Sequence, residues 1–113
     1  MDTRRLNTDE IEALGIRKKP APDVGPPEGT REVSVYRYAS GRQSCSKENV
    51  ARLLDAGVAV ECTEDHGIPL VWREGDGYRG ALFQYRSVTE DREFTTAADA
   101  AKWFVKTANA VAG

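Results

Sequence analysis

In REVSVYRY, residues 31–38, apolar and polar side chains alternate, with valine and tyrosine in most of the apolar places. A period of two carried by β-branched and aromatic residues predicts a strand. The period changes in SKENVARLLDAG, residues 46–57, where Val50, Leu53 and Leu54 share one helical face. Ser46 is placed to cap this helix, Glu48 and Arg52 to pair along it, and Gly57 to end it. VAVECT predicts a second strand. IPLVWRE and YRGALFQYRSV predict two more, joined at Gly75-Asp76-Gly77, where Asp-Gly is a hairpin signal. TTAADAAKWFVKTANAVA closes the chain as a helix capped by Thr96 with Asp99 three residues on. Its apolar stripe is Ala97, Ala101, Phe104, Ala108 and Val111. The order β-α-β-β-β-α predicts an α+β fold. Its four-stranded, mostly antiparallel sheet packs two helices on one face and leaves the other open to water or a partner.

Residues 1–30 follow a different pattern. NTDEIEALG predicts a short helix with Asn7 and Glu10 as a capping box, Gly15 as its stop and Leu6, Ile11 and Leu14 as its apolar face. About two turns do not hold a helix in water alone. RKKPAPDVGPPEG follows with four of the five prolines and predicts an extended linker. The chain is thus expected to divide into a flexible tail, 1–30, and one α+β domain, 31–113. The tail either docks on a partner or folds back on its own domain.

Parity along the strands assigns the side chains to faces. A turn at Asp76-Gly77 sets Trp72 across from Ala81, Leu70 across from Phe83 and Ile68 across from Tyr85, an apolar face that we read as the core side, with Val33, Val35, Val58, Val60 and Cys62 joining it. Trp72 and Tyr85 are then core residues. The face left open carries Tyr36, Tyr38, Arg73, Tyr78 and Arg86, with Val71 and Leu82 between them. Tyrosine and arginine are enriched at protein-binding hot spots, so the expected partner is a protein. The same side chains also stack bases and hold phosphates, which keeps a nucleic-acid partner open, and a third reading is that the N-terminal segment simply covers this face.

Composition narrows these readings. Of 113 residues, 40% are hydrophobic and 30% charged, which fits one globular domain with one core. A net charge of −2 lacks the basic excess of a general polyanion binder. No stretch approaches the roughly 20 apolar residues of a membrane span, and no apolar run follows the N-terminal arginines, so a cytoplasmic protein without a membrane partner is expected. Its two cysteines would there stay reduced.

Tyr78-Arg79-Gly80, followed by FTTAADAAKWF, resembles the "YRG" strand and the "F-x-T-x-x-x-A" entry to an alanine-rich helix of AP2 and integrase arm-type DNA-binding domains. The resemblance covers residues 70–106. It implies a sheet that enters the DNA major groove, with Arg73, Arg79 and Arg86 as base readers. The sequence departs from that family in its upstream strand and helix and in Glu90, Asp91 and Glu93.

Candidate chemistry is sparse. From Cys45 the helix rises about 16 Å and the next strand returns about 13 Å to Cys62, so the two thiols can end near each other, with Asp65 and the single histidine, His66, just beyond. A Cys₂-His-Asp zinc site or a Cys45–His66 nucleophile pair is conceivable there, although the spacing matches no ligand pattern. SGRQSCSK offers Arg42, Ser46 and Lys47 for an anion at the helix N-terminus, with a plain N-cap as the alternative role of Ser46. No Walker spacing is present, no cofactor is implied and no nucleophile–base–orienter set emerges. The expectation is a non-enzymatic binding module: a protein adaptor or inhibitor, with DNA reading as the runner-up.

Overall fold

The computed structural model describes residues 24–36 and 44–112. Their elements are β1 (Glu32–Ser34), α1 (Lys47–Asp55), β2 (Ala59–Glu61), β3 (Ile68–Glu74), β4 (Gly77–Gln84), β5 (Ser87–Phe94) and α2 (Ala97–Ala110). The strands form one sheet in the order β1-β2-β3-β4-β5. β1 runs parallel to β2 through the α1 crossover, and β2 to β5 form an antiparallel meander. The fold of the described residues is therefore α+β with two helices, as the pattern predicts, but the sheet has five strands rather than four.

The extra strand is a matter of turn chemistry. The expected strand over 78–88 ends at Gln84 and turns back through Tyr85 and Arg86, so that Gln84 pairs with Ser87. Nothing in Tyr-Arg-Ser announces a turn, since glycine, asparagine and proline are all missing there. β5 itself is rich in charge, and a bulge at Leu82/Phe83 breaks its alternation. The β3–β4 hairpin also differs from expectation. Glu74 pairs with Gly77, Leu70 with Ala81 and Ile68 with Phe83, so the two-residue loop is Gly75-Asp76. Gly75, at φ +60°, supplies the left-handed first position that such a loop needs. This two-residue offset preserves parity, so within β3 and β4 the residues from Ile68 to Gln84 keep their predicted faces.

The helices nevertheless cover the face expected to be open. Val35, Val60, Cys62 and Val71 form one core with Val50, Leu53 and Leu54 of α1 and Ala97, Ala100, Ala101, Phe104 and Ala108 of α2. Partly buried Tyr78, Phe94 and Trp103 pack against it. Gly80 admits α2 to the sheet: a Cβ there would stand 2.5 Å from Cζ3 of Trp103. Val33, Val35, Val58, Val60 and Cys62 belong to this core, not with Trp72. Trp72, Leu70 and Ala81 lie on the opposite face in a second cluster with Ala59 and Val24, edged by Phe83 and Val88. Parity tells which residues share a face but carries no information on which face receives helices when both are apolar.

Both helix caps match the sequence. Ser46 Oγ accepts from the Asn49 amide and Thr96 Oγ1 from the Asp99 amide, each at 3.1 Å. Among the described residues, Val24, only 3% exposed, is already buried ahead of Arg31. The predicted helix over residues 7–15 and most of its linker lie outside the described residues.

Candidate functional site

Of the seven side chains expected on an open face, Val71 and Leu82 are buried, at 0% and 6% exposure. Val71 sits in the helix-facing core. These two are corrected from contact residues to interior ones. Tyr78 is half-buried at the edge of that core, and its hydroxyl donates to Asp55 Oδ1 at 3.1 Å. Desolvation, with Asp55 second, raises its pKa above the ordinary value. Arg73 pairs with Tyr78 across β3–β4 and is exposed at the helix side. Tyr38 and Arg42 lie outside the described residues. Ser46 is a helix cap, and Lys47 is exposed beside it.

The other two, Tyr36 and Arg86, belong to one end of the sheet. Ser34 pairs with Glu61, Glu61 with Leu70 and Leu70 with Ala81. Two residues further along, Tyr36 is level with Ile68 and Phe83, and the β4–β5 turn projects beyond them. The β2–β3 turn, closed by a Glu64–Gly67 bridge, presents Asp65 and His66 at this same end. With strands about 4.8 Å apart, Tyr36 and the turn are separated by roughly 15 Å.

Tyr85 is the residue that parity misplaced. Expected in the core, it is 87% exposed at the tip of the β4–β5 hairpin. Tyr85 and Arg86 adopt φ of +50° and +68°, the left-handed region at both central positions of a two-residue turn. Such a turn ordinarily takes Asn-Gly, and each residue with a Cβ costs about 1–2 kcal/mol there. Parity reasoning followed the strand through Tyr85 because tyrosine is a strand former. The available signal was weaker: VTEDREF still carries strand residues, so a turn had to precede it.

The arginines named by the DNA resemblance do not share a surface. Arg73 lies on the helix side and Arg86 at the hairpin tip, while Arg79 is on the opposite face with Glu93 and Asp91. Arg79 donates to both Asp91 carboxylate oxygens, at 2.9 and 2.7 Å, and reaches Glu74 at 3.5 Å. Asp91 chiefly raises the guanidinium pKa further above its ordinary value.

Cys45 and Cys62 meet, as the distance argument anticipated. Both are free thiols, and Cys45 packs against the core that holds Cys62. The Cys62 thiol donates to Glu64 Oε1 at 3.2 Å. That neighbouring thiol, burial and Glu64 push the Cys62 pKa far up, so it is a protonated core residue. His66 is exposed, and its backbone amide donates to Val111 O at 2.8 Å. No cluster of three metal-ligating side chains forms among the described residues, and none of their helices is long and apolar enough to cross a membrane.

Comparison with known proteins finds no matching family model, curated protein or solved structure.

Proposed function

We propose that the protein is a non-enzymatic protein-binding module whose contact point is the loop end of the sheet, centred on Tyr85 and Arg86 and extending to Tyr36. One observation carries this reading. A tyrosine is 87% exposed on a turn whose two non-glycine residues both adopt left-handed backbone. Folding alone favours Asn-Gly at these positions. Strain kept at an exposed site is characteristic of residues retained for contact. Tyrosine and arginine are also the side chains that dominate hot spots, because they bring large area and directional donors together. Tyr36, 41% exposed, is the other large apolar residue exposed among those described, and it lies at the same end.

The test uses tagged full-length chain and nuclease-treated host lysate, with Tyr85→Asn/Arg86→Gly as the paired variant. Because this variant favours the turn, a folding defect does not account for lost binding. The expected outcome is a discrete protein captured by the wild type and lost with the variant. Capture that survives the substitution moves the contact elsewhere. Capture abolished by nuclease alone replaces the protein partner with nucleic acid.

A further inference from the structure

We propose that the sheet face opposite the helices is the docking site of the chain's own N-terminal segment, with Leu6, Ile11 and Leu14 seated over Trp72. This inference is independent of the hairpin contact. Leu70, Trp72 and Ala81 are 6%, 0% and 0% exposed, yet no helix residue belongs to their cluster. Of the described residues outside the sheet, Val24 alone joins it. Val24 is also where the described chain begins, so the 23 residues before it start from this face. Trp72 Nε1 is a buried donor without an acceptor. A covering segment with backbone or polar atoms at its ends supplies what an apolar neighbour does not.

Reach and charge favour the same occupant. The ten residue steps from Leu14 to Val24 span about 30 Å in the extended conformation that the prolines favour. That exceeds the roughly 20 Å width of a five-stranded sheet. Strand register places Glu32, Glu61, Glu74, Asp91 and Glu93 around the apolar centre, with Arg79 the only cation among the strand residues of this face. Arg17, Lys18 and Lys19 stand five to seven residues before Val24, where the chain must cross that acidic rim. A basic stretch between an apolar helix face and an anchored valine complements an apolar centre ringed by carboxylates.

The experiment is solution NMR on the full chain. In the wild type, nuclear Overhauser contacts from the methyl groups of Leu6, Ile11 and Leu14 to the Trp72 ring are expected, together with slow exchange of the Trp72 indole N–H. In Ile11→Asp/Leu14→Asp, that exchange should accelerate roughly tenfold or more while the Trp103 indole is unchanged. If the variant fails to fold, the wild-type contacts decide alone. Missing contacts, or Trp72 protection that survives the double substitution in a folded variant, would overturn the proposal. So would protection that falls on dilution, which identifies a second copy as the occupant.

Discussion

Tyr85 and Arg86 hold φ of +50° and +68°, so the hairpin tip works against its own residues. Tyr85→Asn/Arg86→Gly should stabilise the fold by about 1 kcal/mol or more. Thermal unfolding should show this as a Tm higher by several degrees, the usual response of a domain of this size; an unchanged or lower Tm would mean that tertiary contacts at the tip outweigh the strain. Gly80 has the opposite sensitivity. A methyl group there meets Trp103 carbons at 2.5 and 2.8 Å and Phe94 Cε2 at 3.2 Å. Gly80→Ala should therefore cost about 1–3 kcal/mol by overpacking, measured as a lower urea midpoint at constant slope. Cys62 adds a pH dependence. Its folded pKa lies above the ordinary 9.0, chiefly through Cys45, so folding retains the proton. That stabilisation is complete below pH 9 and declines as pH rises above it. Cys62→Ala should flatten the alkaline fall in Tm. In the wild type, a thiol reagent should titrate the half-exposed Cys45 and reach Cys62 only on unfolding.

At the scale of elements, α1 has only nine residues and depends on its cap. Ser46→Ala should cost about 1 kcal/mol, and denaturant unfolding monitored by circular dichroism measures it. Both helices, their caps and the α2 stripe are legible in the sequence because capping residues and a 3.6-residue period are local signals. β3 is legible too, with IPLVWRE matching its bounds. β5 is not, since its turn uses Tyr-Arg and its alternation is broken by the bulge at Leu82/Phe83. The helix-bearing face also escapes the sequence. β3 presents Val71 on one side and Leu70 and Trp72 on the other, and all are buried. A central strand apolar on both faces carries no sign of which layer covers which side. The error moved Val71, Leu82 and Tyr78 into the expected site and left Tyr85 out of it.

Across the whole molecule, the helices take one face of the sheet, and the segment entering at Val24 begins to cover the other. The loop end of the sheet carries Tyr36, the β2–β3 turn and the β4–β5 tip side by side. The acidic residues Glu74, Asp91 and Glu93 lie toward the other end or across the outer face, and Arg79 is held by two of them. Among the described residues, a phosphate backbone meets no continuous cationic surface there, whereas a protein partner needs only an anchored aromatic with a polar rim. Partner binding at this end should accordingly be far less salt-sensitive than the steep loss that released counterions impose on nucleic-acid complexes. A photo-crosslinking amino acid placed at position 85 of the full chain, with position 102 on the exposed side of α2 as control, tests the contact most directly in nuclease-treated lysate. One discrete protein adduct at 85 and none at 102 is the predicted result; no adduct at 85, or the same adducts at both, would contradict it.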